Sequence, residues 1–189
     1  TASYDGTVRL WNAEDGTLVH SFTPDGSQVF TATLSTDGTK ITAGTDKGTV
    51  KVWSTDTKVE LLSGDTSQHA ISALRFSPTG DALVVGCNDG SIFVWSTAGG
   101  SPPTSLPAHK GAVNSIAFTS DGEQFVTASA DATLRVWQSR DLSLLHEIAS
   151  HEGRVVRVAA SPSGPTVLSV SADRTAKIFD ASTGDLVEE

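Results

Sequence analysis

Apolar and polar residues alternate along this chain in short runs, and turns of Asp, Gly, Ser and Thr separate the runs. The stretch from His109 to Trp137 shows the pattern most clearly. Its runs are Val113 to Phe118, Phe125 to Ser129 and Thr133 to Trp137. Ser120-Asp121-Gly122 divides the first from the second, and Asp131 sits in the tight connection before the third. Alternation over a few residues, punctuated in this way, predicts half-buried strands joined as hairpins.

The same order of signals returns at a fixed step. The aromatics that end each third run are Trp11, Trp53, Trp95, Trp137 and Phe179, and their spacing never varies. The turn glycines Gly38, Gly80, Gly122 and Gly164 keep that step. So do Asp5, Asp89, Asp131 and Asp173, six residues before the aromatic, with Lys47 in that place in the second copy. His109 precedes Trp137 by the same interval as His151 precedes Phe179. A period of this size means a repeat array whose units bury their apolar faces against one another. The predicted units are a half at 1–22 and whole ones at 23–64, 65–106, 107–148 and 149–189. Four strands per unit give about 18 strands in all.

These residues resemble the WD-repeat family of β-propellers, over essentially the whole chain. The dipeptides are degenerate: Trp11-Asn12, Trp53-Ser54, Trp95-Ser96 and Trp137-Gln138, with only Phe179-Asp180 keeping the Asp. Ala108-His109 and Ser150-His151 stand where the family has Gly-His. The resemblance implies an all-β fold, an incomplete arc of about 4.5 four-stranded antiparallel blades around a central channel. It implies a buried hydrogen-bonded chain of His109, Thr127, Asp131 and Trp137 in the fourth repeat. In the fifth the matching residues are His151, Ser169 and Asp173, but Phe179 has no N–H to give. The third keeps Asp89 and Trp95, with Ser67 and Val85 in the other places and His69 displaced by two. The second keeps only Trp53. The resemblance also implies a partner-binding rim just before the motif Asp and at the start of each innermost strand. Its leading candidates are Tyr4, Phe30, Asp46, Asn88, Asn114 and Arg154.

Composition narrows the picture. The net charge is −9, and the bases are scattered apart from Arg154, Arg157, Arg174 and Lys177 in the last repeat. That disfavours direct nucleic-acid binding, which needs a basic face. No apolar run is long enough for a membrane helix. A single cysteine, Cys87, cannot form an intrachain disulfide and fits a reducing compartment, cytoplasmic or nuclear. The chain has no Met, and Thr1-Ala2-Ser3-Tyr4-Asp5 matches Thr127 to Asp131, inside a repeat. The expectation is a propeller segment completed by further sequence or by another chain. Gly99-Gly100-Ser101-Pro102-Pro103 is its one loop-like tract.

Ser169, His151 and Asp173 are the residue types of a hydrolase triad. The same set recurs in register with Thr127, which points to scaffolding, and no nucleophile elbow accompanies it. His20, His69, His109, His146 and His151 lack metal-ligand spacing, no Gly-Lys-Ser/Thr phosphate loop occurs, and no metal or cofactor is expected. The expected function is a non-catalytic scaffold for protein–protein interaction in a multiprotein assembly. The alternatives are a reader of a peptide or modified tail at the rim, and a propeller attached to an enzymatic or nucleic-acid-handling domain.

Overall fold

A computed structural model describes residues 1–66, 69–99 and 101–189. Ser67, read above at a His position, and Gly100 in the Pro-rich tract lie outside the described residues. The described chain forms 18 strands in five antiparallel sheets. The first sheet has two strands, β1 (Val8–Trp11) and β2 (Leu18–Phe22), and an isolated bridge from Ala2 to Val8 adds a stub of a third. The second sheet comprises β3 (Val29–Leu34), β4 (Lys40–Thr45), β5 (Thr49–Ser54) and β6 (Glu60–Asp65). The third comprises β7 (Ile71–Phe76), β8 (Ala82–Cys87), β9 (Ile92–Ser96) and β10 (Thr104–Leu106). The fourth comprises β11 (Val113–Phe118), β12 (Gln124–Ser129), β13 (Thr133–Gln138) and β14 (Leu144–Ala149). The fifth comprises β15 (Val155–Ala160), β16 (Thr166–Ser171), β17 (Ala176–Asp180) and β18 (Leu186–Glu188). Each is a simple meander. The outer strands β6 and β14 end at Asp65 and Ala149, one residue past the boundaries expected from the repeat.

The Asp-Gly turns show why the hairpins close where they do. Asp37 accepts hydrogen bonds from the Ser35 and Thr39 hydroxyls and the Thr39 amide, and Gly38 then takes a positive φ of 71°. Those donors hold the Asp37 carboxyl down to about 2. Asp121 between Thr119 and Gly122 repeats the arrangement in the fourth sheet. The second, fourth and fifth blades each carry two register shifts at fixed places, and the third keeps only the one on its innermost strand. One lies at the start of the innermost strand (Val113/Ser115 in the fourth blade), the other just before the aromatic (Val136/Trp137). Such bulges re-aim side chains. They leave Phe30 and Val156, the second residues of β3 and β15, exposed.

The core consists of four apolar clusters, one at each junction between successive sheets. Each motif aromatic from Trp53 onward packs back on the preceding sheet. Trp53 meets Phe22 of β2 with ring centroids 5.1 Å apart. The valines beside it, Val50 and Val52, face forward onto Ile71 and Leu74 of β7. Polar ties cross the same junctions: Asn114 Nδ2 donates to the Val155 carbonyl and Ser72 Oγ to that of Val113, each at 2.6 Å. Among the described residues no cluster joins the fifth sheet to the first. Leu168 and Ala176 of the fifth sheet are therefore exposed, although Val126 and Leu134, one step earlier, are fully buried. Trp11, on the free flank of the first sheet, is likewise 43% exposed. The architecture is an incomplete propeller arc.

Candidate functional site

The fourth blade carries one continuous hydrogen-bonded chain. The Trp137 indole N–H donates to Thr127 Oγ1 at 3.0 Å, and Thr127 lies 2.8 Å from His109 Nε2. His109 Nδ1 lies 3.1 Å from Asp131 Oδ2. The carboxylate can only accept, so Nδ1 bears the proton, Nε2 accepts from Thr127, and the imidazole is neutral. Burial pushes the His109 pKa below its ordinary value, against the pull of the Asp131 charge. Burial also opposes charge on Asp131, but the Thr133 hydroxyl and the Lys110 and Thr133 amides hold its carboxyl down to about 2. The neighbouring blade supports the loop that brings His109 here. Gly90 has a φ of +94°, and a Cβ on it would stand 2.3 Å from the His109 carbonyl oxygen. Only glycine fits that backbone and that approach. Arg135, itself buried, donates to the carbonyls of Pro107 and Ala108 just before the His.

The fifth blade repeats the first links. His151 Nε2 lies 2.8 Å from Ser169 Oγ, and Nδ1 lies 3.0 Å from Asp173 Oδ2. Phe179 ends the chain there for want of a donor. These are also the distances of a Ser-His-Asp triad. Ser169, however, has no solvent-exposed surface, so its hydroxyl is out of reach of a substrate in this conformation.

The degenerate repeats have substitutes that the motif did not reveal. In the third, the displaced His69 still reaches Asp89, with Nδ1 3.2 Å from Oδ2. In the second, Asp25 occupies the place of His109 two steps earlier. It accepts from Thr49 Oγ1 at 2.5 Å and from the Ser27 amide, so an acid caps the turn that Lys47 cannot cap. In the first, Arg9 pairs with Asp5 at 2.9 Å. Asp25 stands at the His position of the repeat, but its role depends on Thr49 rather than on the motif.

At the rim, Asp46, Asn88, Ala130 and Ala172 all donate their amides to the residue preceding the innermost strand, which places them at one end of the arc. Tyr4 and Phe30 come together with ring centroids 5.4 Å apart, and Tyr4 is 72% exposed. Phe30, Asn114 and Arg154 border the central cavity. Asn114 is already engaged by the tie to Val155. Asn88 is exposed, and Asp46 is half-buried with one carboxylate oxygen, Oδ1, lacking a hydrogen-bond partner. Neither borders the cavity. Two cavity residues that were not singled out for the rim are Arg75 and Arg157. They lie deeper on the innermost strands, at places with no counterpart in the motif.

The family model described as WD domain, G-beta repeat matches residues 16–54, 57–96, 100–138 and 142–180. Each match begins with the outer strand of one sheet and finishes on the third strand of the next. The repeat is thus one strand out of phase with the sheet, and every repeat spans a junction. No curated protein matches the chain.

Proposed function

Because the chain belongs to the WD domain, G-beta repeat family, we propose that this protein is a non-catalytic scaffold that holds protein partners within a larger assembly. Members of that family generally mediate protein–protein interaction or scaffolding. The observation that carries the reading for this chain is the exposed Tyr4–Phe30 pair on the rim. Exposed aromatics on a rigid frame are what binding hot spots are made of. The unvarying repeat step leaves no long insertion to build a separate site, so contact falls to short loops and rim residues. The buried His sets serve the frame in this reading. A reducing intracellular setting belongs to it too, with Cys87 buried and its thiol pushed up to about 11 chiefly by desolvation.

The test is contact mapping of the full-length protein in its native assembly by cross-linking, with Tyr4→Ala and Phe30→Ala beside the wild type. The expected result is cross-links clustered at the rim and lost in both variants, with the melting temperature unchanged. Contacts confined to the outer strands or to the Pro102-Pro103 tract would overturn the rim assignment.

A further inference from the structure

The protein is strongly acidic, yet the centre of the arc is not. The innermost strands enclose a cavity of about 600 Å³ whose lining includes Arg75, Arg154 and Arg157 and, among the described residues, no Asp or Glu. All three arginines are exposed, and none of their guanidiniums has a hydrogen bond or ion pair with a described residue. Elsewhere arginines of this chain do find acids: Arg9 pairs with Asp5 and Arg135 with Glu147. Arg140 and Arg174, outside the cavity, also lack an ion pair among the described residues, so what distinguishes the three is that they converge on one space with no acid in its described lining. Three like charges facing one space repel one another, and an anion between them relieves that.

The arginines are also staggered in depth. Arg154 stands one residue before the start of β15 and Arg157 two residues after it, while Arg75 stands four residues after the start of β7. At about 3.3 Å per strand residue, they are spread over roughly 16 Å of channel. A compact anion meets one or two of them. An extended chain running along the channel meets all three, its own carboxylates repeating at the same rise. Thr31 and Thr33 add neutral polar groups to the wall, and Phe30 stands at the mouth.

We propose that the channel binds an extended acidic peptide segment, with Arg154, Arg157 and Arg75 pairing successive carboxylates from mouth to depth. This deepens the rim reading by naming the chemistry of the partner, and it rests on that reading for the side from which the segment enters.

The test is fluorescence anisotropy of the full-length protein with labelled tri- and hexaglutamate, and with inositol hexakisphosphate as competitor. Hexaglutamate is expected to bind more tightly than triglutamate and to weaken steeply with added salt. Arg75→Gln, Arg154→Gln and Arg157→Gln are each expected to weaken it about tenfold, and Arg140→Gln, an exposed arginine away from the channel, to leave it unchanged. No binding at low ionic strength, or equal losses in the Arg140 and Arg157 variants, would overturn the proposal. So would inositol hexakisphosphate binding more tightly than hexaglutamate and responding to only one arginine. Tyr4→Ala separates the two readings, because Tyr4 does not line the cavity. Hexaglutamate binding that survives Tyr4→Ala, while rim cross-links vanish, supports both. Rim cross-links that persist in the arginine variants, with no hexaglutamate bound by the wild type, overturn the channel proposal alone.

Discussion

The fourth and fifth blades share nearly the same internal chemistry and differ in what lies beside them. Both hold a buried His between an Asp and a hydroxyl, at nearly equal distances in the two blades. Yet β12 is buried at every residue after its first, whereas β16 alternates between buried and open. The fourth blade has sheets on both flanks and the fifth has one. Hydrogen-bond geometry is thus set within a blade, and burial is set by its neighbours. The hydrophobic term, which scales with area removed from water, therefore resides at junctions rather than in blades.

Mutations at equivalent places should separate the two contributions. The largest difference is expected between Trp137→Ala and Trp11→Ala. Trp137 is fully buried between two sheets, and its loss should cost about 3–5 kcal/mol. Trp11 stands on a free flank, and its loss should cost under about 1 kcal/mol. Chemical denaturation of both variants measures this, and similar costs would mean that the first sheet's free flank is covered in solution.

The next comparison is of polar groups. Asp131→Ala should cost about 1–3 kcal/mol, because it strips the partner from a buried imidazole and two amides. Lys47→Ala, at the same place in the second repeat, should stay within about 0.5 kcal/mol. Asp25→Ala should fall between them, since Asp25 caps the corresponding turn from the other side. Equal melting shifts for Asp131→Ala and Lys47→Ala would show that the hydrogen-bonded chain does not form.

Acid should reveal the same chain. His109 has a lowered pKa, so the unfolded state binds its proton first and stability falls as pH drops below the ordinary His value of 6.5. Asp131 adds a second loss as pH falls from its ordinary 3.8 toward about 2. Both groups favour the fold at neutral pH and lose that contribution in acid. In His109→Gln the decline in melting temperature just below pH 6.5 should shrink, while the loss below pH 4 remains. An unchanged profile would show that His109 does not titrate with folding.

A small gain rather than a loss is expected at Ala132. Gly6, Gly48 and Gly90 hold its place in the first three blades, all with positive φ, and Ala132 adopts φ 69° without being glycine. Ala132→Gly should raise stability by about 0.5–1 kcal/mol, the relief of left-handed backbone outweighing the added chain entropy. A destabilised variant would mean that the Ala132 methyl is packed rather than strained.

Most of the frame was legible in the chain. The period gave the number of strands, and the three runs read in the fourth repeat meet β11, β12 and β13 to within a residue, because alternation and Asp-Gly turns are local signals. The His109 chain was legible for the same reason, since its members keep a fixed register. His69 with Asp89 was not, because the His is out of register by two and the pairing depends on the path of the backbone. That path is pinned where Thr66 Oγ1 bonds the His69 carbonyl.

The sequence by itself determined the blade: its strands, its turns, and the hydrogen-bonded set carried by the Trp, Asp and His positions. Tertiary structure alone decided which apolar residues are covered. Val126 and Leu168 occupy the same place in matching strands, and only the presence of a following sheet buries one and exposes the other. It also decided the convergence of Arg75 and Arg157, from the third and fifth sheets, on one cavity. No local pattern encodes that meeting. It follows from the stacking of blades, which brings the innermost strands around a common axis and leaves their remaining charges facing one another.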